Sequence, residues 1–207
     1  MNNKKLFSIG VLVFLIFVFF SYLVHRDLFA QLDFDNTVKL QDRISRRLDT
    51  PFSTLSLIGS FEILSLLLLF LVVIRKKISG IFVFVPYITA IFIELYGKIF
   101  VIHPGPPYLF FRNDIPFNFP SSYIQPGSSY PSGHSTRTLF ISVVLIFMIG
   151  NSKRLSGLQK TIFISLVLIF DIVMLVSRVY LGEHWTSDVI GGAHLGAGFG
   201  LISLIAF

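Results

Sequence analysis

Six apolar stretches, each close to the length a helix needs to cross a bilayer, constrain this sequence more than any other feature. They run Leu6–Val24, Thr54–Ile74, Ile81–Ile102, Ser135–Gly150, Thr161–Leu181 and Asp188–Phe207. About 20 apolar residues span the hydrocarbon as a helix, and backbone groups in lipid must be satisfied internally. Continuous runs of this kind are therefore helices rather than the alternating strands of a barrel. The expected fold is all-α: a polytopic membrane bundle of six transmembrane helices, with residues 1–207 in one domain. The fourth run is short and the sixth is rich in glycine. Lys4 and Lys5 precede the first run as they would in a signal peptide, but no small-x-small cleavage site follows Val24, so a retained helix is expected.

Charge sets the orientation. Only 14% of residues are charged, where about a quarter is usual. The net charge of +6 lies largely in short clusters between the spans, and no nucleic-acid-binding motif accompanies it. Lys4/Lys5, Arg75/Lys76/Lys77 and Lys153/Arg154/Lys160 fall on a single side, which the positive-inside rule assigns to the cytoplasm. The segments around 25–53, 103–134 and 182–187 fall on the other. The first of these runs against the rule, because it holds Arg26, Lys39, Arg43, Arg46 and Arg47. Phe34, Val38, Ile44 and Leu48 among those charges predict an amphipathic helix lying on the interface. The absence of cysteine excludes disulfides, thiolate nucleophiles and cysteine-ligated metals.

Polar residues within spans are costly and point to function, and here they are Glu62, Glu94, Lys98, Asp171 and Arg178. Three strings at span ends add to them. In Ser177-Arg178-Val179-Tyr180-Leu181-Gly182-Glu183-His184-Trp185-Thr186-Ser187-Asp188, Arg178 offers a fork of donors for phosphate oxygens. His184 and Asp188 are four apart and share a face if helical. A carboxylate so placed can hold one ring nitrogen as N–H and leave the other free to attack phosphorus. The same pair would also serve as a helix cap or as metal ligands.

Pro131-Ser132-Gly133-His134 precedes the fourth span. Serine there caps a helix whose free amides suit a phosphate, glycine permits close backbone approach, and His134 could protonate a departing alkoxide. Standing alone, the string reads as an ordinary capped helix start. In Lys98-Ile99-Phe100-Val101-Ile102-His103-Pro104-Gly105-Pro106-Pro107, Lys98 is either a cation for phosphate or a snorkelling lysine paired with Glu94.

Together and in this order, the strings resemble the signature of the type 2 phosphatidic acid phosphatases, the lipid phosphate phosphatases related to class A acid phosphatases and vanadium haloperoxidases. That signature reads K-x6-R-P, P-S-G-H and S-R-x5-H-x3-D. The second and third strings match at every defined position. The first matches Lys98 and Pro106 but has Gly105 where the family carries arginine. The motifs cover residues 98–188, and the first two helices are supported only by the six-span plan of the membrane members.

The resemblance implies a phosphohistidine intermediate on His184, with Asp188 orienting it and His134 as general acid. Lys98, Ser132, the Gly133 amide and Arg178 would bind the phosphoryl oxygens. It also implies that neither a metal nor a cofactor takes part. A lost charge-assisted hydrogen bond costs on the order of 1.5–3 kcal/mol, so something should replace the arginine missing at Gly105. Arg137, about one helical turn beyond His134, is the first candidate for this phosphate contact; Arg112 is second and His103 third.

The function expected is metal-independent hydrolysis of a lipid phosphate monoester or diphosphate at the outer face of the cell membrane. Family substrates include phosphatidate, phosphatidylglycerophosphate, undecaprenyl diphosphate and lipid A phosphates. The expected partners are that lipid phosphate and the membrane lipids, with no nucleic acid. A phosphotransferase using the same site, passing the phosphoryl group to an alcohol, is the alternative within enzymes. A transporter or channel lined by Glu62, Glu94, Lys98, Asp171 and Arg178 is the alternative outside them.

Overall fold

The computed structural model describes residues 3–75, 78–115 and 128–206. Lys76 and Lys77 of the second basic cluster, residues 116–127 of the 103–134 segment, and Phe207 at the end of the sixth run lie outside the described residues. Among the described residues the chain is helical and contains no strand. Its α-helices are α1 (Asn3–His25), α2 (Ala30–Arg43), α3 (Asp49–Ile58), α4 (Phe61–Arg75), α5 (Phe84–Phe100), α6 (Gly133–Gly150), α7 (Gly157–Tyr180) and α8 (Thr186–Ser203). Among the described residues five spans are long and apolar enough to cross a membrane, built on α1, α5, α6, α7 and α8. The bent pair α3–α4 makes a sixth when counted as one broken span. The chain is a multi-pass membrane protein, an all-α polytopic bundle.

The second expected span is therefore not one straight helix. It breaks at Gly59–Ser60, where the helices on either side are bent by 47°. Gly59 and Ser60 close the end of α3 with short backbone bonds to Ser56 and Leu57, and Ser60 Oγ accepts from Ile63 N to start α4. Glycine is required at this break by crowding. A Cβ on residue 59 would lie 2.8 Å from His134 Cδ2 and 3.1 Å from the Met174 methyl.

The amphipathic segment also differs from expectation. The helix α2 stops at Arg43, before Ile44 and Leu48, and the residues it buries are Asp33 and Thr37, while Phe34 is exposed. Its inward face is polar because it lies over polar groups at the end of the bundle.

The glycines of the sixth run form a packing seam. Gly192, Gly196 and Gly200, spaced by four, face the backbone carbonyls of Ser132, Thr136 and Phe140 on α6, also spaced by four. Small residues at this spacing let helix backbones approach closely where lipid supplies no hydrophobic drive. On another face of α8, Gly198 meets Gly10 of α1, and a Cβ at Gly198 would stand 3.2 Å from the Gly10 carbonyl.

One end of the bundle gathers the C-terminal ends of α5 and α7 and the N-terminal ends of α6 and α8, with Ser132 N donating to the Asp188 carbonyl across the two helix starts (3.0 Å). At the other end, Asn3 Nδ2 donates to the Leu204 carbonyl, and Lys160 Nζ to that of Gly150. Lys4, Lys5, Arg75, Lys153, Arg154 and Lys160 belong to this second end by helix direction.

Candidate active site

The three motif strings converge where α5, α6, α7 and α8 meet. Ser132 is the N-cap of α6, with its side chain accepting from Ser135 N (3.4 Å), and it is fully buried. Gly133 and His134 begin the helix, so the free amides of the first turn face the same end as the histidine.

The turn from α7 to His184 depends on Gly182, the glycine with φ +68°. A side chain there would be strained by the left-handed backbone and would run into the Phe110 carbonyl. With the chain reversed at Gly182, the amides of Glu183 and His184 both return to the Arg178 carbonyl (3.2 and 3.3 Å). That fold places His184 directly beyond Arg178. His184 Nδ1 lies 3.5 Å from Asp188 Oδ2, and this oxygen also accepts from Trp185 N at 2.8 Å. Asp188 is thus both the cap of α8 and the carboxylate beside His184, so two of the roles open in the sequence coexist in one fully buried residue.

Arg178 is fully buried and is held by the Ser56 hydroxyl of α3 and by the Glu183 carboxylate. Glu94 of α5 joins two more cations: its carboxylate lies 3.6 Å from Lys98 Nζ and accepts from Arg137 Nη1 at 3.1 Å. Glu94 and Arg137 sit over the start of α6, since a Cβ on Gly133 would collide with the Glu94 carboxylate and lie 2.8 Å from Arg137 Nη1. Burial holds the His184 imidazole well below its usual pKa of 6.5, and the positive charges of Lys98, Arg178 and Arg137 act in the same direction while Glu94 opposes them. This leaves a neutral ring, the form with a free lone pair.

The other two candidates for the missing arginine point elsewhere. Arg112 donates to the Gln41 carbonyl (3.2 Å) and lies over the Tyr180 ring. His103 is buried behind Asp188, with Nε2 3.5 Å from Asp188 Oδ1 and 3.7 Å from Asp33 Oδ2. Gly105 is exposed beside Ser129.

Sequence reasoning missed Asp33 and Ser56. Asp33 accepts from Ser187 N (2.8 Å) and Ser187 Oγ (2.6 Å), tying α2 to the start of α8. Burial raises its carboxyl above the usual range, and the Ser187 hydrogen bonds oppose that shift. The only local signal was an acid in the first turn of α2. Of the remaining charges within spans, Asp171 lies deeper and accepts from Ser142 Oγ at 2.6 Å. Next to this pair, and one turn along α6 from His134, an apolar cavity of about 290 Å³ is lined by Ile58, Leu64, Thr138, Ile141, Leu145 and Leu166, among others. Among the described residues no group of three or more His, Asp or Glu side chains is placed to hold a metal ion.

A sequence profile of the PAP2 superfamily matches residues 77–207, more than half of the chain. Two solved structures are similar to it. The first is the transmembrane PAP2-type phosphatidylglycerolphosphate phosphatase of Bacillus subtilis, with TM-score 0.75 and 19% identity over 95% of this chain and 93% of that one. The second is LpxE of Aquifex aeolicus, with TM-score 0.62 and 25% identity over 84% of this chain and 95% of that one. Comparison with curated protein sequences gives no significant match.

Proposed function

The chain belongs to the PAP2 superfamily, and from that premise we propose that it hydrolyses a lipid phosphate monoester or diphosphate through a phosphohistidine on His184. The observation that carries this reading is the convergence of His184, Asp188, His134, Lys98 and Arg178 at one end of the bundle.

The neutral His184 ring attacks phosphorus through Nε2 while Asp188 retains the proton on Nδ1. As the Nε2–P bond forms, the bond from phosphorus to the lipid oxygen breaks, and His134 gives its proton to that oxygen. Water then attacks the phosphohistidine, its proton passing to His134 as the Nε2–P bond breaks and inorganic phosphate leaves. Lys98, Arg178, Arg137, the Ser132 hydroxyl and the Gly133 amide hold the phosphoryl oxygens, whose spread charge is what placed cations stabilise best in a site away from bulk water. Glu94 pairs with both Lys98 and Arg137 and holds Arg137 beside Gly133. No step calls for a metal.

Two further features support a lipid substrate outside the cytoplasm. The apolar cavity beside α6 offers room for hydrocarbon one turn from His134. The site lies at the end of the bundle opposite Lys4, Lys5, Arg75 and the Lys153–Lys160 segment, which the positive-inside rule places in the cytoplasm. The cell membrane is the proposed location. Glu94, Lys98 and Arg178 gather at that end, and the deeper Asp171 is occupied by the Ser142 hydroxyl, which favours an enzyme over a conduit.

The test is phosphate release by purified protein from a panel of lipid phosphates, with EDTA, with and without an acceptor alcohol, and with His184→Ala alongside. Release that survives EDTA and vanishes in the variant is expected. Silence on every substrate, or near-native release by the variant, would overturn the reading. Cysteine at Tyr108, exposed in the loop after α5, is expected to react with an impermeant thiol reagent in intact cells and cysteine at Ser152 is not; the reverse pattern would move the site to the cytoplasmic leaflet.

A further inference from the structure

Asp188 has two carboxylate oxygens, and the mechanism above uses one. Its Oδ2 faces His184, while its Oδ1 faces a second histidine, His103 Nε2, at 3.5 Å. Which way the hydrogen bonds run around His103 follows from a neighbour. Ser187 Oγ has one proton and gives it to Asp33 Oδ2 at 2.6 Å. Toward His103 Nε2, 3.2 Å away, the same oxygen can only accept. His103 therefore carries its proton on Nε2 and gives it to Ser187 Oγ, while Asp188 Oδ1 and Asp33 Oδ2 stand beside the same nitrogen at 3.5 and 3.7 Å.

The histidine is held firmly for such a task. Its backbone carbonyl accepts from Ser129 N, Ser128 Oγ and Ser129 Oγ, so the loop after α5 is fastened to the residues that lead into α6. The side chain is buried, with the Tyr130 ring set perpendicular to it. Trp185 Nε1 closes the same loop onto the start of α8 by donating to the Pro104 carbonyl at 2.8 Å.

We infer that His103, backed by Ser187 and Asp33, is a positioning residue that fixes the Asp188 carboxylate from the side opposite His184 and so sets the tautomer and aim of the nucleophile. The chain of contacts runs Asp33–Ser187–His103–Asp188–His184 and links α2 to the reacting atom. A carboxylate held on one oxygen alone can rotate about its χ2; the His103 ring packed beside the other oxygen restrains that rotation. This inference rests on the reading of His184 as nucleophile.

The test compares wild type, His103→Leu and His103→Gln, the last keeping an N–H donor near the Nε2 position. Turnover should fall roughly 10–100-fold in His103→Leu, the range seen when a group that orients a directly acting residue is removed. KM and the thermal midpoint in detergent should hardly change, and His103→Gln should recover most of the turnover. Histidine ¹⁵N NMR supplies a readout independent of activity. The Nδ1–H resonance assigned to His184 by its loss in His184→Ala should shift or broaden in His103→Leu and persist in His103→Gln. Unchanged turnover in His103→Leu, equal losses in both variants, or an unmoved His184 resonance would each overturn the inference. Should wild type release no phosphate while the resonance still depends on His103, the reaction assigned above fails and the positioning contact stands.

Discussion

The helices that carry the motifs and the α2–α3 segment that covers them are fixed to the molecule by opposite means. The helix α8 buries eleven of its 18 residues, and its seam with α6 is glycine against backbone. By contrast α2 with α3 is attached mainly by hydrogen bonds, whereas α1 shares the close packing, with its Gly10 set against Gly198 of α8. Gln41 donates to the Phe110 and Tyr180 carbonyls, Tyr180 to Ser45 and Asp49, Thr50 and Ser53 bond to Asp114, and Arg178 donates to Ser56. Close packing admits one arrangement of two backbones and so suits the helices that aim His134 and His184. Single hydrogen bonds are worth about 1 kcal/mol each and tolerate replacement one at a time, which suits a cover over a site.

The largest effect expected is in the packed region. His184→Ala should abolish phosphate release and phosphoenzyme formation together, while His134→Ala should slow turnover about 10²–10⁴-fold and still form phosphoenzyme with a good leaving group. Equal residual activity in the two would remove the distinction between nucleophile and acid. Next comes the seam itself. In Gly196→Ala the new methyl would meet the Thr136 carbonyl, and overpacking of this kind costs about 1–3 kcal/mol. Gln41→Ala should cost less, and a larger fall in thermal midpoint for Gln41→Ala than for Gly196→Ala would reverse the comparison.

Arg137→Ala should lower kcat and kcat/KM together by about tenfold or more with unchanged expression, since it removes a contact strengthened in the transition state. Adding Gly105→Arg should restore part of the loss. If Arg112→Ala abolishes turnover while Arg137→Ala does not, the α2-side arginine supplies the contact and the chemistry is not confined to the packed helices. The smallest effect concerns pH. Protonation silences a nucleophilic imidazole, and because burial and the neighbouring cations hold the His184 pKa well below 6.5, the midpoint of that protonation lies well below this value. Single-turnover phosphoenzyme formation should therefore not decline on its account between about pH 8 and pH 6.5. A midpoint near 7 in that step, absent from the rest of the cycle, would contradict the placement of Lys98 and Arg178 beside the ring.

What the sequence revealed follows the same division. The motif strings were legible because the chemistry demands given residues at given spacings on helix ends, and those spacings survive folding. The break at Gly59–Ser60 was hidden, since one glycine and one serine within an apolar run read as helix. Glycine in the sixth run looked like a flaw in a span, and only the facing carbonyls of α6 reveal it as a contact surface. The inward face of α2 escaped hydrophobic patterning because what it covers is polar. Asp33 and His103 carried no local signal of a joint role: Ser187, which bonds to both, lies 154 and 84 positions away from them.

The break between α3 and α4 has a consequence for how such chains can be recombined. Residue 59 has no room for a side chain because His134 and Met174 occupy the space where one would stand. A position outside the family match is thus dictated by a histidine inside it. Exchange of the first two spans between relatives leaves His134 where it stands only if the incoming segment brings a glycine to that point, so the cover and the catalytic helices are inherited as a matched pair.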